Sequence, residues 1–452
     1  MDHPYFFLGT TGLFFWLLYA AIYRPTLWQT SRDHGSQHFQ HGQYAFKLKE
    51  LHEKYGPIIR PTPSEVHVSD PDFLDTIVGT AEDFNHHKLR REATNPSFSI
   101  KAVLDLEPRL TPMRDKIARI LNDSVQSRQP LNISDVFFAC SNDVLGSYSF
   151  GSDNNLLDAL PEAHRQRESL ASLLLSVKAV RHLKPLFAFL GAVMPLIAGE
   201  KAIPEGIRDM IAFRNDAGRD IQAILADTTN DQKGGHFIFY ELRDTPTLPP
   251  EEKTATRLQD EATLLVLVGT ESTAKSLAIA TFYLLWLPDV LAKVRNELSD
   301  AKQKANGDLS LGALLALPYL SAVTWGANRL SFGVTGRSVR YSPTESLTYI
   351  ASHGPNEGKT YVLPPQRWLG NSEEVGRRKR CMHALGKGHR RCIGINLANA
   401  AMSLVLAAVV EYDLELFETK ESDIKFKYDL QISHPEMGSK GVRVMVDGKS
   451  PL

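Results

Sequence analysis

The segment from residue 251 to residue 287 constrains the fold more than any other part of the chain. It shows helical periodicity, follows Pro249-Pro250 and begins with Glu251 and Glu252. Prolines followed by acidic residues are typical of a helix N-terminus. Residues 262–268 are apolar on every side, which a helix tolerates only when it is buried all round. The sequence therefore predicts a central helix enclosed by other elements.

The rest of the chain predicts a mostly α fold with a minor β-sheet. A short helix pattern ends at Gly56-Pro57, which is a stop signal, and residues 58–68 alternate as a short strand pair would. Other strand-like material is sparse. Helical periodicity covers 101–122, 155–180, 205–227 and 394–411, and strand patterns cover 337–349 and 425–446.

Composition excludes several classes of protein. Apolar residues make up 43% and charged residues 23%, which excludes a disordered or collagen-like chain. The 51 basic and 52 acidic residues give a net charge of −1, without the basic excess of a nucleic-acid binder. Three cysteines in 452 residues exclude a disulfide framework.

The amino terminus is predicted to anchor the chain in a membrane. Residues 4–23 contain no charge and are rich in aromatic residues and leucine, and twenty helical residues span a bilayer. Basic residues follow this run, which places the body in the cytosol. A cleaved signal peptide is the alternative, but it requires a basic n-region and a shorter apolar core. We expect a polar linker at 24–45 and the catalytic domain at 46–452.

A polar group at residues 269–273 interrupts the apolar run of the central segment. It contains Gly269, Glu271 and Ser272. A buried carboxyl group is costly unless it has a partner, so a functional role is one interpretation. A hydrogen-bonded core hydroxyl beside a solvated glutamate is the other.

Residues 385–394 form a glycine-rich loop around Cys392. Three glycines permit unusual backbone angles and a close approach to something flat or bulky. Cys392 precedes a predicted helix and follows Arg390 and Arg391, and both features favour a thiolate. That thiolate could be a nucleophile, a redox sensor or a metal ligand. A single thiolate in such a loop also fits axial ligation of haem iron, with arginines left for the propionates.

The same residues resemble the cytochrome P-450 haem-binding signature F-x-x-G-x-R-x-C-x-G, with Leu385 in place of the phenylalanine. Other motifs of that family follow in family order over nearly the whole chain, and the pattern is closest to the fungal microsomal, trichodiene-oxygenase-like branch. These other motifs are [AG]-G-x-[DE]-T-[TS], which residues 268–273 resemble, W-x-x-x-R, which His87 to Arg91 resemble, and the end of P-E-R-W, which residues 366–368 resemble.

The resemblance implies a cytochrome P-450 fold and a role for each matching residue. Cys392 would be the axial ligand of the iron of heme b, within the loop that carries Gly388 and Gly394. Ser272 would relay protons toward O2, Glu271 would feed that relay, and Gly269 would open room beside a locally distorted helix. The propionate contacts would come from Arg91, Arg340 and Arg390. Electrons would come from NADPH through a separate FAD/FMN reductase. The basic run 377–380, with Lys387 and Arg391, could dock that reductase. The alternative is that this basic run is an ordinary solvated surface.

Several features depart from the family pattern. The E-x-x-R motif keeps Arg329 but has Gly326 at the acidic position, so the triad with Arg367 lacks one member. Losing one charge of a buried network costs about 3–5 kcal/mol. A segment is missing between residues 365 and 366, another before His87, and the proline-rich hinge is reduced to Pro25.

Three functions follow from these observations. The first is a membrane-anchored haem-thiolate monooxygenase of the endoplasmic reticulum, acting on a small apolar, terpenoid- or polyketide-like molecule in fungal secondary metabolism. The second is a haem-binding paralogue that does not oxygenate, which Gly326 and the missing segments favour. The third is a thiol-based sensor without haem, which leaves the family order of the other motifs unexplained.

Overall fold

The computed structural model describes residues 42–62, 65–70, 85–152, 154–182, 205–227, 236–335, 373–376 and 382–450. The chain divides into two compact units, the first formed by residues 1–74 and 347–359 and the second by 75–346 and 360–452. The predicted anchor at 4–23, the strand pattern at 337–349, Pro25, Arg340, Arg367 and the basic run 377–380 lie outside the described residues.

In the first unit a helix, α1 (Tyr44–Tyr55), accompanies two antiparallel strands, β1 (Ile58–Thr62) and β2 (Glu65–Val68). Tyr44 and Leu48 of the helix pack with Ile59 of the first strand in a small core. The helix ends at Gly56, whose φ of 94° is accessible to glycine without strain. The predicted helix and strand pair are confirmed, although α1 begins two residues before the expected end of the linker.

The second unit is mostly helical. Its helices are α2 (Asn85–Thr94), α3 (Ile100–Leu104), α4 (Glu107–Ser127), α5 (Ile133–Phe150), α6 (Leu160–His182), α7 (Glu205–Ala226), α8 (Ile238–Asp244), α9 (Ala255–Trp286), α10 (Pro288–Ala305), α11 (Leu311–Ala316), α12 (Pro318–Ser331) and α13 (Ile395–Val409). The segments predicted at 155–180, 205–227, 251–287 and 394–411 are confirmed with small differences at their ends, whereas the segment predicted at 101–122 is divided between α3 and α4.

The core of this unit forms where α9 packs against α5. Residues 133–149 of α5 are all buried, and α9 contributes Leu277, Phe282 and other fully buried side chains. Among the described helices α9 is long and apolar enough to cross a membrane, but 56% of its apolar window is buried inside the protein. The central helix is thus a core helix, but the expected burial of residues 262–268 on every side is wrong, because Leu264 and Val268 remain exposed.

Small sheets lie at the carboxyl end of the unit. The strands β3 (Leu131–Asn132), β7 (Arg443–Lys449) and β4 (Tyr412–Leu416) form an antiparallel sheet in that order. A hairpin pairs β5 (Tyr428–Asp429) with β6 (Ser433–His434). The strand material predicted at 425–446 is confirmed, and the hairpin also contacts the segment after α12 through the bridge from Val334 to Ile432.

Candidate active site

The central helix α9 has one face that is open in its middle. Leu264 and Val268, four residues apart, are 59% and 45% exposed, whereas Val266 between them and Ala262 before them are buried. Residues at this spacing lie on the same side of a helix. An apolar face that remains open in the middle of a core helix is suited to contact a large apolar group.

The opposite face of α9 packs against α5, and Gly269 belongs to it. A Cβ atom built on Gly269 would lie 2.6 Å from Cδ1 of Leu145. The helix continues without a break from Ala255 to Trp286. The absent side chain of Gly269 thus permits close packing between the two helices, and its expected role in opening room for O2 stays a prediction.

Thr270 also faces α5, through a buried row of polar groups. Asn142 Nδ2 donates to Thr270 Oγ1 at 3.5 Å, and Asn154 Nδ2 donates to Asn142 Oδ1 at 2.9 Å. Such a row satisfies polar groups that would be costly to bury alone. The polar group 269–273 is thus divided between two faces, since Gly269 and Thr270 serve packing.

Glu271 lies on the same side of α9 as Leu264 and Val268, by helical spacing. Burial raises the pKa of the Glu271 carboxyl group, and the positive charges of Lys275 and Arg167 act to lower it. A carboxyl group whose pKa moves toward neutrality can both accept and release a proton near pH 7. Ser272 follows directly in the helix, and its carbonyl accepts a hydrogen bond from Ser276 Oγ at 3.0 Å.

The loop before α13 holds Cys392 by backbone contacts. The N–H of Cys392 donates to the Leu385 carbonyl at 2.8 Å, and the N–H of Gly386 donates to the His383 carbonyl at 2.9 Å. Gly386 and Gly388 have φ values of 66° and 64°, which other residues rarely adopt. The glycines predicted to shape the loop thus do so by their backbone conformation.

The Cys392 side chain is exposed at the residue level, while its sulfur lies among many protein atoms. Burial raises the pKa of the Cys392 thiol. The Gly394 N–H and the charges of Arg91 and Arg391 act to lower this pKa, but their effect is smaller than that of burial. Arg391 and the N–H of Gly394 thus favour the thiolate, as predicted, but burial of the sulfur outweighs them. A bound metal ion deprotonates a coordinating thiol outright, which would supply the missing stabilisation.

Arg91 lies beside this loop, as expected from the motif at residues 87–91. Its Nη1 atom donates to the Arg391 carbonyl at 2.7 Å, and burial lowers its pKa while the Cys392 charge opposes that shift. Arg90, on the same helix, is held by Glu252 and Glu261 at 3.4 Å each. These ion pairs fix α2 to the start of α9, and sequence analysis missed Arg90. Arg390 is exposed on the short 3₁₀ turn Gly388–Arg390.

Gly333 supports the start of the Cys392 loop and was also missed. Its φ is 59°, and a Cβ atom there would lie 2.2 Å from the carbonyl oxygen of Ala384. Two backbone segments therefore touch at a position where only glycine fits. The Phe-Gly pair after a predicted helix end is the sequence signal that marks this turn.

Arg329 lies near the end of α12, and Gly326 is buried three residues before it. Tyr283 of α9 donates from its hydroxyl to Glu421 at 3.3 Å, and burial raises its pKa to about 12, against the charge of Arg329. Arg329 thus lies in the interior where a carboxylate at residue 326 would have been its near neighbour. The structure brings together Cys392, Gly388, Gly394 and Arg91, and it places Glu271 and Ser272 on the helix that packs against α13.

Comparison with known proteins identifies the family. The model of the cytochrome P450 family matches residues 45–344, and the chain belongs to that family. It is 30% identical over 439 residues to cytochrome P450 monooxygenase TRI4 of Fusarium sporotrichioides, covering 87% of this chain and 83% of that protein. It is 29% identical over 458 residues to cytochrome P450 monooxygenase SAT11 of Stachybotrys chartarum, covering 90% and 86%.

Family membership defines an oxidoreductase of the monooxygenase type, with a haem-thiolate cofactor and electrons from a redox partner. The residues of this chain fit that cofactor. The loop offers a sulfur atom beside two left-handed glycines and Arg91, and α9 offers the open apolar face of Leu264 and Val268. Cys392 and Arg91 would hold the haem, which supplies the activation of O2 when bound.

Proposed function

We propose that this protein inserts one oxygen atom of O2 into a small apolar molecule. The reaction consumes one substrate C–H bond, O2, two electrons and two protons, and it forms a C–OH bond and one water. The observation that carries the proposal is the Cys392 loop, with its sulfur between Gly388 and Gly394 and with Arg91 bonded to the same loop. The proposed substrate is terpenoid- or polyketide-like and belongs to fungal secondary metabolism, which rests on the branch of the family that the sequence motifs resemble; the relatives named above are likewise fungal cytochrome P450 monooxygenases.

The chain's own residues would orient the substrate and deliver protons. Leu264 and Val268 would exclude water and contact an apolar substrate, because both are large apolar side chains exposed in the middle of the core helix. Glu271 would take up protons and pass them to the Ser272 hydroxyl beside it. Arg91 would pair with a carboxylate of the cofactor in a charge-assisted contact, with Arg340 and Arg390 as further candidates.

The redox partner proposed here is an NADPH-dependent FAD/FMN reductase. Lys387 and Arg391 lie on the Cys392 loop, and the basic run 377–380 precedes it in sequence. Basic residues around the loop would steer an acidic partner toward the cofactor. The apolar run at 4–23 would anchor the chain in the endoplasmic reticulum membrane with the catalytic domain 46–452 in the cytosol.

The test is the carbon-monoxide difference spectrum of the reduced full-length protein in microsomes. We expect the Soret band of thiolate-ligated haem in the wild type and its complete loss in Cys392→Ser. Cys140→Ser is the matched control, because Cys140 is a buried thiol of α5 and should leave the band unchanged. Equal bands in wild type and Cys392→Ser, or no haem in the wild type, would overturn the proposal.

A second candidate is a haem protein that does not oxygenate. The observation that favours it is Gly326, buried in α12 at the position where a carboxylate would partner Arg329. Turnover with a reductase separates the two candidates, since only the monooxygenase forms a hydroxylated product. Under the second candidate, wild-type protein shows the thiolate band yet yields no product over a broad panel of apolar substrates, and Gly326→Glu restores product formation.

A further inference from the structure

A lysine on α9 is a charged side chain in the interior that neither the family motifs nor the cofactor accounts for. Lys275 lies four residues after Glu271, so the two side chains are neighbours on the helix surface, with Cβ atoms about 5–6 Å apart. By helical spacing both continue the face of Leu264 and Val268. Each residue keeps some exposed surface, whereas its charged end lies deep among protein atoms.

The position of the Lys275 ammonium group is fixed by a buried hydroxyl. Lys275 Nζ donates to Ser433 Oγ at 2.5 Å, and Ser433 Oγ donates in turn to the Ser331 carbonyl at 2.5 Å. Because the hydroxyl proton of Ser433 is directed at Ser331, only its lone pairs face Lys275. The lysine is thereby tied to both the β5–β6 hairpin and the end of α12.

This hydroxyl is neutral, so the described hydrogen bond of Lys275 leaves its charge free to act on Glu271. Arg167 of α6 also faces Glu271, but it is paired with Asp135 at 2.6 Å and with Glu168 at 3.2 Å. His434, next to Ser433, faces Lys275, Arg167 and Glu168, and burial lowers its pKa. Carboxylates in contact with Arg167 thus offset its charge, whereas the hydrogen bond of Lys275 to Ser433 does not offset the charge of Lys275 at Glu271.

We propose that Lys275 is a positioning residue that holds the carboxyl group of Glu271 in its ionised form, ready to accept a proton and pass it to Ser272. The inference rests on the proposed function for its role in turnover, but the coupling between Lys275 and Glu271 is a property of the chain alone. Each of these two opposite charges favours the ionised form of the other group, against the effect of burial.

The direct test is an infrared pH titration of the purified full-length protein. The difference between wild type and Glu271→Gln identifies the protonated carboxyl band of Glu271. In Lys275→Met this band should persist to a pH higher by about one unit or more, since an opposite charge at this range lowers a carboxyl pKa by about 1–3 units. Lys275→Arg should restore the wild-type titration, and Lys302→Met, whose lysine pairs with Glu411, should not move it.

Turnover then tests the role in the reaction. With the carbon-monoxide band retained, Lys275→Met should form about tenfold less product per NADPH at pH 7, because less of Glu271 is then ionised and able to accept a proton, and the yield should recover toward higher pH. Lys275→Arg should keep most of the product yield. An unchanged Glu271 band in Lys275→Met would overturn the coupling, and an unchanged yield and pH profile would overturn its role in turnover. Absence of the carbon-monoxide band in the wild type would instead count against the proposed function alone.

Discussion

The central helix and the Cys392 loop carry the two sets of residues proposed to act on the cofactor, and the fold positions these two sets by opposite means. On α9 the placement follows from helical spacing, since Leu264, Val268 and Glu271 share a face while Gly269 and Thr270 face α5. In the loop there is no periodicity, and Gly386 and Gly388 hold Cys392 through left-handed backbone angles. A helix therefore tolerates changes on its open face, whereas the loop depends on single backbone positions.

The two regions are joined through the end of α12. Ser433 links Lys275 of α9 to Ser331, and two residues later Gly333 touches Ala384 of the loop. A change at this junction should therefore affect the loop more strongly than a change on α9 itself. The predictions below, ordered by the size of the expected effect, test this difference.

The largest effect is expected for Gly333→Ala. The new methyl group would lie 2.2 Å from the Ala384 oxygen, and the φ of 59° would also be strained. Overpacking and the left-handed conformation together should cost about 3–4 kcal/mol of unfolding free energy, with most of the haem lost. Haem content and urea unfolding measure both effects.

The matched control is Gly438→Ala, where φ is 81° and nothing lies within 4 Å. It carries the backbone strain without the clash, so it should cost about 1–2 kcal/mol and leave haem content unchanged. If the two variants were equally stable, the contact between Gly333 and Ala384 would not support the loop.

The second effect concerns the pH dependence of stability set by Lys275. Burial lowers the pKa of Lys275 from 10.5 to about 8, so the folded state disfavours its charged form. The destabilisation of the folded state by the charged Lys275 is fully present below pH 8 and disappears as the pH rises to 10.5. The advantage of Lys275→Met over the wild type in unfolding free energy should therefore be larger at pH 7 than at pH 10.5, by up to about 3 kcal/mol.

Urea unfolding of both proteins across this pH range measures the difference. Lys302→Met should keep the wild-type pH dependence, because it leaves Lys275 in place. A constant difference between Lys275→Met and wild type from pH 7 to 10.5 would mean that Lys275 is not destabilised by burial.

The third effect, that of Gly269→Ala, is smaller, because the new methyl group meets the end of a flexible side chain and not a backbone atom. Gly269→Ala would place a methyl group 2.6 Å from Leu145 Cδ1, which must move, and should cost about 1–2 kcal/mol. Gly312→Ala in α11 meets its nearest atom at 3.7 Å and should instead stabilise by about 0.5–1 kcal/mol. Thermal unfolding distinguishes the two signs, and a stabilising Gly269→Ala would show that α5 and α9 are not closely packed there.

The smallest effect is expected for Thr270→Val. Its hydrogen bond from Asn142 is long, at 3.5 Å, and Asn142 keeps its contact with Asn154. We expect a loss below about 1 kcal/mol and unchanged product per NADPH. Ser272→Ala, on the other face, should lower the product yield about tenfold. Equal yields from the two variants would remove the proposed division of α9 into a packing face and a reactive face.

Much of the fold and of the site could be predicted from the sequence. The helical periodicity of 205–227 and 251–287 gave helices with nearly the expected ends, because a buried apolar pattern specifies a local conformation. The residues around Cys392 and Arg91 were found from their motifs, and the structure joins Arg91 to the Arg391 carbonyl. Gly333, Arg90 and Lys275 were not found, since each acts through a partner distant in sequence.

The sequence by itself determined which segments are helical, which helix belongs to the core, and that a cysteine lies in a glycine-rich loop directly before a helix. Only the tertiary structure decided that Gly269 packs on Leu145, that burial outweighs the arginines at Cys392, and that Lys275 faces Ser433. The physical reason is that periodicity and backbone preference are local, whereas close contact, burial and the field of a charge depend on residues brought together from distant parts of the chain.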